Sequence, residues 1–134
     1  MQATPLSTEL FIFGLSAILL IVHIIWQSSS ATKDTSLGYN MSARDVEKPV
    51  SVVTSRLNRA LRNFLETYAA FVGLALALHV TGKTGGIGEI GAWIWFVSRV
   101  AYVPLFAMGV FRWRSIVWFA SIFGLILMIV RLLF

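Results

Sequence analysis

Long apolar runs alternate with shorter polar breaks along this chain. Four runs stand out, at residues 6–27, 55–80, 92–111 and 115–134. Each is near or above the roughly 20 residues that a helix needs to cross a bilayer. The pattern predicts an all-α integral membrane protein, a single domain over 1–134 with four transmembrane helices in a left-handed bundle. The first run contains Glu9 and His23 but has no Lys or Arg before it. It therefore reads as a retained helix rather than a cleaved signal peptide. The second run, at 1.5 Å per residue, would be ~39 Å long, so its first turns reach into the headgroup zone. The third contains Pro104, which cannot donate to the Val100 carbonyl, and a kink or loosened turn is expected there.

The breaks are a loop and two turns. Residues 27–55 are punctuated by Ser, Gly and Pro, with a helical turn expected from Ser42. Residues 81–91 are rich in glycine. Gly86-x-Gly88-x-x-Gly91 matches a dinucleotide pattern, and Gly82-Lys83-Thr84 echoes a phosphate loop. Both patterns need a preceding strand, and here a transmembrane helix precedes, so a flexible connector is the reading. Residues 111–115 read as a tight turn.

Composition agrees: 57% of the 134 residues are hydrophobic and 13% charged, where soluble domains carry about a quarter charged. The chain has no cysteine, which excludes disulfides, thiolate metal sites and a cysteine nucleophile. His23 and His79 fall at opposite ends of the spans, so no metal site is expected. Each reads as an interfacial or interhelical hydrogen-bonding residue. The net charge of +5 is divided among membrane-flanking segments, which argues against nucleic acid as a partner.

The placement of charge predicts topology. Lys33, Arg44, Lys48, Arg56, Arg59, Arg62, Arg112 and Arg114 lie on one side of the spans, against Lys83 and Arg131 on the other. The positive-inside rule puts the first side in the cytoplasm and both termini outside. Asn40-Met41-Ser42 fits a glycosylation acceptor but falls on the cytoplasmic side, so it is discounted. Glu9 and Arg131 fall at similar depth and could pair, within the bundle or between subunits, in a structural role.

One face of the second helix carries the chemistry. At about 100° per residue, Arg59, Asn63 and Glu66 lie within about 60° of one another, and Arg56 and Arg62 widen the stripe. Lipid cannot satisfy such a stripe, so it must meet protein, water or a ligand. Arg112 and Arg114 fall at the same end. Together they predict an arginine-rich pocket suited to carboxylates and phosphates. Glu66 can pair with Arg59 or Arg62 or hold a ligand ammonium. Arg99 and Tyr102, three apart on the third helix, face the pocket together. The alternative is a set of arginines that snorkel into anionic headgroups. The pocket would take a small, multiply charged ligand, with a second, apolar reactant arriving from the lipid.

These residues carry a resemblance. Arg59-Ala60-x-x-Asn63-x-x-Glu66 followed by Phe71, Arg99-x-x-Tyr102, Arg114-Ser115 and the loop segment Ser42-Ala43-Arg44-Asp45 resemble the MAPEG superfamily. These are the membrane-associated proteins of eicosanoid and glutathione metabolism, and the style is that of the short bacterial members. The resemblance implies a bacterial inner-membrane homotrimer with ligand sites between subunits. It implies glutathione as cosubstrate, held by Arg59, Asn63 and Glu66, with Arg62, Arg99 and Tyr102 in the same site. It assigns stabilisation of the glutathione thiolate to Arg114, with Arg112 as second choice, and a lipophilic electrophile or peroxide as substrate. No protein cysteine is then needed, because the nucleophile comes with the cosubstrate. The chain departs from the family pattern at Ala70, where many members have proline, and at Tyr102, where some have histidine. Phe106 stands where several enzymes have tyrosine, and Pro104 is an extra helix breaker. Two other readings stay open: a non-catalytic protein whose Arg/Asn/Glu cluster welds helices and subunits, and a module that binds anionic lipid.

Overall fold

The computed structural model describes residues 5–43, 45–46 and 48–134, with only the backbone of Phe111. The expectation resting on Arg44 lies outside these residues. The chain forms α1 (Thr8–Asp34), α2 (Leu37–Met41), α3 (Val52–Val80), α4 (Gly86–Ala107) and α5 (Phe111–Leu133). No strand occurs among the described residues. α1, α3, α4 and α5 are each long and apolar enough to cross a membrane.

Capping and tertiary hydrogen bonds move the ends away from the apolar boundaries. α1 runs seven residues past the expected end at 27, because its polar last turns find partners on α3. Ser30 shares a hydrogen bond with Thr54, and the Asp34 carboxylate accepts from the Thr54 hydroxyl and the Ser51 N–H. α3 starts at Val52 rather than 55, with the Ser51 side chain accepting from the Thr54 N–H. The helical turn expected from Ser42 instead ends there: α2 precedes it, capped by the Ser36 hydroxyl on the Tyr39 N–H.

The two turns also differ from expectation. α4 begins at Gly86, so the glycine-rich stretch is half helix rather than a flexible connector. α4 passes through Pro104 and stops at Ala107. Gly109, at φ +72°, closes it with a Val110 N–H to Leu105 carbonyl bond of 3.0 Å and a Gly109 N–H to Phe106 carbonyl bond of 3.1 Å. This six-to-one and five-to-two pair is a Schellman closure, and it requires a left-handed residue. The turn is therefore 108–110, and α5 starts at Phe111, not 115.

Successive spans run antiparallel. At one end the His79 ring nitrogen meets the Ser7 hydroxyl at 3.3 Å, and in the middle the Ser16 and Tyr68 hydroxyls meet at 3.0 Å. The core between the helices is aromatic: Trp95 lies face to face on Phe71 at 3.9 Å and 6°. Both rings are fully buried with Phe64, Leu78 and Met128. α4 and α5 pack closest, because Gly91 and Gly124 oppose each other. A Cβ on either would collide with the other's carbonyl oxygen. Close backbone approach at small residues is how membrane helices gain contact without a hydrophobic driving force.

At the end that holds the 81–85 turn, Glu9 and Arg131 do not pair within the chain. Glu9 accepts from the Gly85 N–H at 2.8 Å, and Arg131 donates to the Lys83 carbonyl at 3.0 Å. Both charges are spent on the turn between α3 and α4.

Candidate functional site

The other end of the bundle holds a cleft of about 440 Å³ between α3, α4 and α5. α3 contributes Arg59, Arg62, Asn63 and Glu66, one helical stripe on one wall. α4 contributes Tyr102 and Phe106, and α5 contributes Arg114, Ser115, Trp118 and Phe119. Six of the expected site residues are thus brought together: Arg59, Arg62, Asn63, Glu66, Tyr102 and Arg114.

The Phe106 ring organises the guanidinium groups. Arg114 lies over it at 4.8 Å and Arg59 at 5.8 Å, and the Tyr102 ring abuts it at 5.5 Å. Cations over a ring face are held there by its quadrupole. Asn63 is held by its carbonyl oxygen, which accepts from Arg99 Nη1 at 2.8 Å. Its amide N–H donors are left for a guest.

Arg99 is not on the wall, contrary to expectation. It is fully buried behind it, sandwiched between the rings of Tyr102 at 4.4 Å and Phe64 at 5.6 Å. The physical reason is angular: residues three apart on a helix differ by about 60°, enough to put Tyr102 at the surface of the cleft and Arg99 inside. Arg112 does not line the cleft either, and it is exposed. With α5 helical from Phe111, Arg112 and Arg114 are about 200° apart and point to different sides. Arg56 leaves the expected stripe as well. Its Nη1 donates to the Ala107 carbonyl at 3.3 Å, so it caps the C-terminus of α4, where a cation is favoured.

Trp118 and Phe119 were not singled out in the sequence, and Ser115 only as part of the Arg114-Ser115 pair. Their signal was the unbroken stretch after Gly109: a helix from 111 puts Trp118 one turn beyond Arg114. His23 is buried in the core against Phe64 at 5.0 Å rather than at an interface, and His79 does make an interhelical bond. Among the described residues no group of His, Asp and Glu could hold a metal ion.

Depth decides how the cleft can be used. Glu66 lies ~21 Å along α3 from Val80, well inside a hydrocarbon core of ~30 Å. Arg59, Arg62 and Glu66 are nevertheless exposed on the chain. Acyl chains cannot cover Glu66, while Arg59, ~31 Å from Val80, reaches headgroup level.

Fold and site together define a polytopic, four-span membrane protein with an ionic cleft at one end of the bundle. The MAPEG family model matches residues 10–134. The chain belongs to the MAPEG family. No curated protein and no solved structure matches it.

Proposed function

We propose that the protein is a glutathione-dependent transferase or peroxidase for lipophilic electrophiles, working as a homotrimer of left-handed four-helix bundles. The observation that carries the reading is the exposure of Glu66, at a depth that lipid cannot serve, in one cleft with the exposed Arg59 and Arg62. A second copy of the chain laid against α3 would close the cleft and exclude lipid from it.

The lining fits the ligand's groups. Glutathione supplies a thiol nucleophile, and it carries two carboxylates, an ammonium and two peptide units. The guanidinium groups of Arg59 and Arg62 suit the carboxylates in bidentate geometry. Glu66 suits the ammonium, and the Asn63 amide suits a peptide carbonyl. Arg114 favours the anionic form of a thiol beside it, since a free thiol titrates near about 8.5 and a close cation stabilises the charge. Tyr102 and Ser115 add hydroxyl donors. Trp118 and Phe119 give the cleft an apolar side by which a lipid-dissolved electrophile reaches the thiol. The positive-inside rule puts this end in the cytoplasm, with both termini outside.

One observation favours a second reading. Phe106 has no hydroxyl to give, and it engages both Arg59 and Arg114 through its ring face. The cluster could then weld subunits without catalysis. The thiolate ultraviolet absorbance of protein mixed with glutathione separates the two. The proposal expects a thiolate band that Arg114→Ala abolishes and Arg112→Ala retains, with turnover of an aromatic electrophile falling about 10²–10³-fold in Arg114→Ala. An Arg59→Ala protein that loses its oligomer while wild type shows no thiolate band would establish the welding reading instead.

A further inference from the structure

A second polar cavity, of about 440 Å³, shares no residue with the cleft. Gln27 of α1, Asn58 of α3, and Thr35, Asn40 and Lys48 of the connecting segment line it. A smaller cavity of about 190 Å³ adjoins it, sharing Gln27, Ala31 and Asn40. Its lip is apolar: Leu37 and Met41 of α2 line it and are 63% and 79% exposed.

The connecting segment is pinned in place. The Tyr39 hydroxyl donates to the Val46 carbonyl at 2.6 Å and accepts from the Lys48 N–H at 3.0 Å. The Lys48 ammonium sits 4.6 Å over the Tyr39 ring, and Asn40 donates to the Thr32 hydroxyl at 2.7 Å. Lys48 therefore stands at the cavity wall with N–H donors still to give.

The depth is that of lipid headgroups. α1 has 27 residues, ~40 Å of helix against a hydrocarbon core of ~30 Å. With Thr8 at the far boundary, the turns after Gln27 lie at headgroup level. A polar chamber with one cation among the described residues, opening onto an exposed apolar lip at that level, matches an amphipathic anionic guest from the bilayer itself.

We propose that the paired cavities hold the phosphodiester head of a glycerophospholipid. Lys48 meets the phosphate, the amides of Gln27 and Asn58 meet the polar head, and the first acyl carbons lie along Leu37 and Met41. A soluble phosphate ester shares the head chemistry but has no use for the lip, so the test includes both.

The full chain, purified in detergent, is supplied with phosphatidylglycerol and read by native mass spectrometry, with glycerol 3-phosphate as the soluble arm. Lys48→Gln should lower the retained lipid at least about fivefold, as expected for one basic residue at a membrane surface. Leu37→Ser with Met41→Ser should release phosphatidylglycerol while leaving the weaker glycerol 3-phosphate binding unchanged. Arg59→Ala, in the other cleft, should leave retention as in wild type. Circular dichroism confirms that each variant is folded. Retention indifferent to both the Lys48 and the lip variants overturns the proposal. So does lipid loss only with Arg59→Ala, which moves the lipid to the cleft. Glycerol 3-phosphate displacing the lipid at equal concentration would make the guest a soluble ester and overturn it too.

Discussion

Arg99 has zero exposure and donates one hydrogen bond to Asn63, while its Nε and Nη2 are buried without a partner. The two flanking rings offset part of that cost. Removing the acceptor should therefore be severe. Asn63→Leu is expected to lose about 1.5–3 kcal/mol, the worth of a hydrogen bond to a buried charged group. Arg99→Met in the same chain should recover most of the lost melting temperature, because the stranded charge is gone. A double variant no more stable than Asn63→Leu would mean that Asn63 matters for some other contact. Phe106 offers a milder test. Phe106→Leu removes the ring under Arg59 and Arg114 and should weaken glutathione binding about 2- to 30-fold, the range of one or two cation–π contacts. The stripe on α3 was legible because helical spacing is local. The split between Arg99 and Tyr102 was not, because it depends on which side of α4 faces Phe64, and that is set by packing.

At the scale of elements, the α4–α5 contact holds the cleft's two remote walls at fixed spacing. Gly91→Val should cost about 1–3 kcal/mol, as overpacking does, and lower the melting temperature. Gly73→Ala, with open space around it, should change it little. Equal effects at both positions would show that the close approach of Gly91 and Gly124 is unimportant. The four spans were readable from the apolar runs, but their ends were not. Polar residues at 28–34 continue α1 because Asp34 finds Ser51 and Thr54, partners 17 and 20 positions away. Glycines that read as a loop are helix at Gly88 and Gly91, where the neighbouring helix leaves no room for a side chain. The start of α5 was hidden by the arginines, which suggested a turn, while the chain actually turns at Gly109.

For the whole molecule, orientation and assembly set what the cleft can meet. The absence of cysteine makes single-site labelling clean. Phe134→Cys should react with a membrane-impermeant maleimide on intact cells, and Gly38→Cys only after permeabilisation. The reverse pattern would put the cleft outside the cytoplasm. The central claim is that carboxylate-binding side chains from α3 and α5 gather around a site for a charged tripeptide. Calorimetric titration of glutathione into the purified protein tests it most directly, with Arg59→Ala as the comparison. Saturable binding that weakens about 10- to 150-fold in Arg59→Ala, the worth of one charge-assisted hydrogen bond, is the expected result. No heat of binding in wild type, or binding of equal strength in the variant, would contradict it.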